Sequence, residues 1–311
     1  MLHVRSLEDV SLQNSWLTIG VFDGVHRGHQ AILKGLAAGA HANGASAVVL
    51  TFHPHPGVVL GKRADLKYLS LPGEKASLLA ALGVDVVVTL PFDTQVAALS
   101  AEDFMRRIQT HLNVKKLLVG YDFALGRGRK GDVNFLTGLG EEIGYTVQTF
   151  GPVTNGRGIL SSSHIRAYLA AGRVDEAKQA LGHPYALHGL VIHGDGRGRK
   201  INIPTANIEV STEKAIPANG VYACRATIGN AEYAAVTNIG IRPTFTPDKE
   251  QANIETHLLD FQGNLYDQDL GLEFVFRLRN EQKFDSVDAL LAQIRVDITR
   301  AKDLLNLANV Q

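Results

Sequence analysis

Apolar residues in the first half of the chain come in short continuous blocks, at 16–21, 47–52, 84–90, 115–120 and 145–150, which read as strands buried on both faces. Between them, 30–41, 73–82 and 102–112 carry apolar residues at helical spacing, and Ser100 with Asp103 forms a capping start for the last of these. Strands alternating with helices predict a parallel sheet with right-handed crossovers. Beyond 150 the pattern changes. A glycine-rich connector at 155–158 leads into two short helical stretches, 163–171 and 174–181, which stop at Gly182-His183-Pro184. From Tyr185 the chain reads as strands at 187–193, 220–228, 232–238, 254–261 and 272–278, with Gly229-Asn230 a hairpin turn. This half predicts a small antiparallel barrel. A last helix, 287–307, with Leu290, Leu291, Ile294, Ile298, Leu304 and Leu305 on one stripe, would cover it. The expected fold class is α/β: an N-terminal Rossmann-like parallel sheet followed by a small antiparallel β-barrel with a C-terminal helix.

A chain of 311 residues exceeds what one core usually serves, and the change of pattern predicts domains at 1–184 and 185–311. Acidic and basic residues balance at 31 each, so the positive field of a general nucleic-acid binder is missing and no nucleic-acid partner is expected. Cys224 is the single cysteine, which excludes an internal disulfide and a cysteine-rich zinc site. Residues 1–15 carry Glu8 and Asp9 without the apolar core of a signal peptide, and no apolar run approaches the ~20 residues of a membrane span. The expectation is a cytoplasmic protein with no membrane partner.

Two segments carry chemistry. In the first, Gly20, Phe22, Asp23, Gly24, His26, Gly28 and His29 leave a strand and open a helix, where backbone N–H groups and the helix dipole receive phosphate. His26 and His29 are placed to donate hydrogen bonds to a triphosphate as pyrophosphate leaves. In the second, Gly194, Arg197, Gly198, Arg199 and Lys200 form a glycine-rich basic loop after a strand, a composition suited to wrapping phosphates. Pro204-Thr205-Ala206-Asn207 follows, and the Thr205 hydroxyl and Asn207 amide oxygen are hard ligands that suit Mg2+. Together these point to phosphoryl transfer from Mg-ATP. Residues 57–62 have the wrong glycine spacing for a P-loop, with Arg63 where Ser or Thr is required.

The string from Phe22 to His29 resembles the H-x-G-H signature of nucleotidylyltransferases in its flavin-adenylating form. Thr51-Phe52-His53-Pro54-His55-Pro56, Gly120-Tyr121-Asp122-Phe123 with the basic residues after it, and Ser161-Ser162-Ser163-His164-Ile165-Arg166 resemble the same branch in the same order. The resemblance implies that Ser161, Ser162, Ser163 and Arg166 close on the ATP phosphates. It places His53, Pro54, Pro56, Asp122 and Phe123 at the flavin. The second half resembles riboflavin kinase through Arg197-Gly198-Arg199, the P-T-A-N run, Asn238-Ile239-Gly240, Glu255-Thr256-His257 and Arg277-Leu278-Arg279. By that resemblance Thr205 and Asn207 hold the metal, Glu255 is the general base and Arg279 lies at the flavin. Asn202 and Asp267 stand where this family often has glycine.

Taken together, the chain resembles the bacterial bifunctional riboflavin kinase/FAD synthetase family. Its expected ligands are riboflavin, FMN, FAD and ATP as co-substrate; a homo-oligomer is compatible with it. The alternative keeps one activity and reduces the other domain to a flavin-binding or regulatory module.

Overall fold

The computed structural model describes residues 1–151, 160–194, 198, 201, 203–242 and 251–307. Its contacts divide the chain into Met1–Ser162 and Ser163–Gln311. In chain order the first unit contains β1 (Leu2–Val4), β2 (Ser15–Ile19), α1 (Arg27–Ala42), β3 (Ser46–His53), α2 (Pro56–Val59), α3 (Pro72–Ala80), β4 (Val86–Pro91), α4 (Thr94–Ala98), α5 (Ala101–Leu112), β5 (Val114–Gly120), β6 (Ala124–Leu125), β7 (Gly131–Asp132), α6 (Val133–Ile143) and β8 (Thr146–Phe150).

Six of these strands form one parallel sheet in the order β1-β4-β3-β2-β5-β8. Both faces are covered, which is why the strands read as unbroken apolar runs. Val48 and Leu50 of β3 join Leu17, Val88 and Leu117 against Met105 and Ile108 of α5 and Leu136 of α6. Ala47 and Val49 turn the other way, with Val87 and Leu118, against Leu33 and Leu36 of α1 and Leu79 of α3. β1 has too few residues to show a period in the sequence and was not expected; it pairs with β4, Leu2 opposite Val86. The chain passes from β2 through β3 to β4 on one side, then returns to β5 on the other side of β2. The carboxyl ends of β2 and β5 therefore flank the crevice where open α/β sheets receive ligands.

The second unit takes in nearly all of α7 (Ser162–Ala170), then α8 (Val174–Leu181), β9 (Tyr185–Ile192), β10 (Ala206–Val210), β11 (Gly220–Ile228), β12 (Ala231–Arg242), β13 (Gln251–Leu258), β14 (Asp269–Arg279) and α9 (Val287–Leu307). The strands close into an antiparallel barrel, β10-β13-β12-β11-β14-β9. Alternation assigns the faces. Tyr222, Cys224, Thr237 and Thr256 are fully buried inside, where the two threonine hydroxyls meet at 2.9 Å. Val221, Ala223 and Val236 face outward and are covered by Ala301 and Leu305 of α9. Burial pushes the Cys224 thiol up to about 12, so it is an unreactive part of the core. β10 begins within the P-T-A-N segment and was not expected as a strand.

The contact boundary precedes the expected seam at 184. α8 packs against β14 and β9, so Val174, Ala177, Ala180 and Leu181 are buried on the barrel's side of the division. A fragment beginning at Tyr185 loses that cover, worth roughly 3–5 kcal/mol at about 25 cal/mol per Å² of apolar surface. The fragment 163–311 should therefore melt roughly 10 °C above 185–311 in a thermal scan followed by circular dichroism. Equal melting temperatures would show that α8 adds nothing to the barrel.

Candidate functional site

The turn between β2 and α1 is held in a left-handed form unusual for its residues. Phe22 has φ +48°, Gly24 +77° and Val25 +42°, and a β-branched residue there costs on the order of 1–3 kcal/mol. Internal bonds hold it. The Asp23 carboxylate accepts the Leu69 and Ser70 amides, each at 3.0 Å. The Gly24 amide donates to Ser70 Oγ at 2.9 Å and the Val25 amide to the Phe22 carbonyl at 3.1 Å. Gly20 is tied to β3 through its amide and the Leu50 carbonyl at 3.0 Å. Asp23, expected at the phosphates, thus points inward as the anchor of the turn.

His26 caps α1, its Nδ1 accepting the His29 amide at 3.4 Å, while Gly28 is buried in the helix's first turn. The two imidazoles stack, centroids 3.6 Å apart and 17° between planes, with the Phe22 ring edge-on to His29 at 5.2 Å. Burial lowers His26 to about 4. Burial, then the neighbouring His26 and Lys75, holds His29 well below its ordinary value. Both rings are neutral at physiological pH and present N–H donors at the positive end of a long helix. N–H donors preorganised in this way stabilise charge that grows on phosphate oxygens.

Beside this turn, β3 ends at His53, whose peptide to Pro54 is cis and whose ring tilts against Tyr68 at 5.1 Å. The Tyr68 hydroxyl accepts the His55 amide at 2.8 Å, and Pro56 begins α2. After β5 the Phe123 amide closes a tight turn on the Gly120 carbonyl at 3.0 Å; Asp122 is exposed, and the Phe123 ring packs partly into the core. Ser162, the last residue of the first unit, donates its hydroxyl to the Asp23 carbonyl at 2.9 Å, which brings the serine segment to the turn. Ser161 precedes it, whereas Ser163 and half-buried Arg166 lie on α7 in the second unit.

In the barrel, Asn207 on β10 pairs with Glu255 on β13, which pairs with Asn238 on β12. Directly opposed residues share a face. Here it is the outer face, since the neighbouring Ala206, Ile254 and Thr256 are buried within. Glu255 Oε1 accepts from Asn253 Nδ2 at 2.7 Å. A Cβ at Gly194 would collide with the Asn207 amide and one at Gly198 with the Ile203 carbonyl, the Thr205 hydroxyl standing 3.1 Å from the latter position. The Ile203 amide closes that loop on the Gly198 carbonyl at 2.9 Å. The structure thus brings Thr205, Asn207, Glu255, Gly194 and Gly198 together. Arg197, Arg199, Lys200 and Asn202 lie outside the described residues.

Comparison with known proteins finds two families along the chain, in the order of its two folds. Residues 8–164 match the FAD synthetase family and 181–305 the riboflavin kinase family. The bifunctional riboflavin kinase/FMN adenylyltransferase of Escherichia coli K12 is 37% identical over 98% of this chain and 97% of its own. The enzyme of the same name from Listeria monocytogenes is 36% identical over 91% and 90%. This chain belongs to the bifunctional riboflavin kinase/FMN adenylyltransferase family. A solved structure titled a macrolide-efflux protein, from Streptococcus pneumoniae, shares the backbone at a TM-score of 0.88 with 31% identity over 97% of this chain and 98% of its own. Among the described residues no helix is long and apolar enough to cross a membrane.

Within the kinase unit, Asp267 has φ +63°, the left-handed conformation for which the family's glycine is suited and which aspartate tolerates better than most residues. Arg279 is committed elsewhere. Its guanidinium clasps Asp297 of α9, Nε at 2.9 Å and Nη2 at 2.8 Å from Oδ2, with Gln293 completing the buried carboxylate's shell at 3.0 Å. The contacts of Arg279 are those of a clamp between β14 and α9. Asn238 and Asn253 flank Glu255 and Glu281 overlies Gly240. Asn238 stood in a segment quoted for the resemblance without a role, and strand register places it and Asn253 beside Glu255.

Proposed function

We propose that adenylyl transfer takes place around His26 and His29 in the first unit and phosphoryl transfer at the row of Asn207, Glu255 and Asn238 on the barrel. The enzyme is bifunctional: it phosphorylates riboflavin with ATP to FMN and adenylylates FMN with ATP to FAD, as both family matches and the bifunctional relatives show. The observation that carries the kinase site is the cross-strand pairing of Asn207 with Glu255 beneath the glycine loop.

In the kinase reaction the ribityl 5′-hydroxyl oxygen bonds to the γ-phosphorus while the bond to ADP breaks. Glu255 is the carboxylate positioned to take the hydroxyl proton, and Asn253 orients it. The Thr205 hydroxyl and Asn207 amide are hard oxygen donors beside a loop whose glycines admit close approach, so these residues fit Mg2+. Mg2+, when bound, would neutralise charge on the ATP phosphates. The bound phosphates would also meet the basic residues of the glycine loop.

In the adenylyl reaction an FMN phosphate oxygen bonds to the α-phosphorus and pyrophosphate leaves. The attacking group is already an anion, so no protein base is needed, and positioning with charge stabilisation carries the rate. The imidazole N–H groups of His26 and His29 provide the donors, and the hydroxyls of Ser161 and Ser162 complete the phosphate contacts within the first unit. His53, Pro54, Pro56, Asp122 and Phe123, at the ends of β3 and β5, are the flavin side. A cytoplasmic location follows from this reading.

The test is a chromatogram of products from riboflavin and Mg-ATP over time. FMN should appear first and decline as FAD accumulates, and the fragment 163–311 should stop at FMN. FAD formation by that fragment would overturn the assignment of the two sites.

A further inference from the structure

Lys75, the fourth residue of α3, is buried beneath the β2–α1 turn, where an amine finds few solvating partners. Its Nζ donates to the Val21 carbonyl at 2.8 Å and to Thr51 Oγ1 at 3.3 Å, and the Thr51 hydroxyl donates to the same carbonyl at 3.0 Å. The three groups form a closed triangle at the carboxyl ends of β2 and β3. A trans peptide is planar, so a Val21 carbonyl drawn down to Lys75 turns the Phe22 amide to the opposite side. Phe22 then takes its left-handed φ, and its ring meets His29 edge-on.

We infer that Lys75 is a positioning residue for adenylyl transfer, which fixes the peptide at the start of the phosphate-binding turn and through it the seat of His29. This rests on the reading that the turn is the adenylyl site. Lys75 touches no reacting atom: its bonds go to the back of the turn. A purely structural lysine would be replaceable by an apolar side chain of similar length, since burying an ammonium is costly and its removal can even stabilise. A positioning lysine would not be.

Burial lowers the Lys75 ammonium to about 8, against the opposing pull of Asp23. The titratable groups facing it are Asp23 from the turn and His29 from α1; Thr51, from β3, does not titrate. A neutral amine is the weaker donor. The clamp is therefore strongest below about pH 8 and loosens as pH rises through that value.

The experiment measures FAD formation from supplied FMN and Mg-ATP in the full-length wild type, Lys75→Met, Lys75→Arg and His29→Ala, from pH 6 to 9.5. Trp16, the single tryptophan, lies on β2, so its fluorescence follows unfolding of the first unit alone. The expected result is a kcat roughly 10–100-fold lower in Lys75→Met, with an unchanged Trp16 unfolding midpoint and loss of the alkaline limb near pH 8. Lys75→Arg, which stays charged, should recover part of the rate and carry no such limb. Lys75→Met at wild-type rate, or a rate that falls only in proportion to the fraction of first unit unfolded, would overturn the inference. If His29→Ala were also at wild-type rate, the site reading itself would fail; a slow His29→Ala beside an unimpaired Lys75→Met would sink the role of Lys75 alone.

Discussion

Glu255→Gln should lower FMN production by roughly 10²-fold to 10⁴-fold while riboflavin and ATP still bind. The amide keeps the size of the carboxylate and its hydrogen bond with Asn253, so the cross-strand row with Asn207 and Asn238 should stand. What it loses is the capacity to take the proton of a neutral hydroxyl. FMN added from outside attacks as an anion at the other site, so its conversion to FAD should stay near the wild-type rate. Steady-state rates of the two half-reactions in one preparation check this. Full kinase activity in Glu255→Gln would place the base elsewhere. A parallel loss of FAD synthesis would mean damage beyond the removal of a base.

The complementary result is expected at the other end of the chain. His29→Ala should slow FAD formation from supplied FMN by on the order of 10²-fold or more, the scale for one preorganised transition-state donor, and His26→Ala should do so more mildly. Loss of His29 removes a ring that His26 stacks on and Phe22 meets edge-on, whereas His26 also caps α1, a role that alanine forfeits at a cost of about 1 kcal/mol. The His26 variant should therefore lose more stability, and the His29 variant more rate. FMN formation from riboflavin, measured in the same samples, should be unaffected by either. Wild-type FAD synthesis in the double variant would remove the histidines from the mechanism.

Much of this was legible in the chain itself. Continuous apolar runs alternating with amphipathic helices identify a doubly covered parallel sheet, because only strands buried on both faces forgo alternation. Alternating strands after Tyr185 identify the barrel. His26, His29, Thr205 and Asn207 could be proposed from the chain because each lies in a short segment whose residue types suit phosphate or metal, whereas Glu255 was proposed only through the resemblance of its segment to riboflavin kinase. Asp23 and Arg279 show where such reading stops. Both are charged residues in segments that resemble the family, yet Asp23 turns inward to the Leu69 and Ser70 amides and Arg279 closes on Asp297. A charged side chain's partner is chosen by what folding brings beside it, and those partners lie 46, 47 and 18 residues away.

The sequence by itself determined the two architectures and their order along the chain, and it pointed to the segments proposed for phosphate, because periodicity and turn chemistry are local properties of consecutive residues. Only the tertiary structure decided which side chains meet. Asn238 faces Glu255 through strand register, α8 joins the barrel through the apolar side it shares with β9 and β14, and Lys75 reaches the Val21 carbonyl from a helix 54 residues further on. Each is a long-range contact. Its favourable energy comes from burying apolar surface or satisfying a buried polar group, and neither can be read from residues that are neighbours only in sequence.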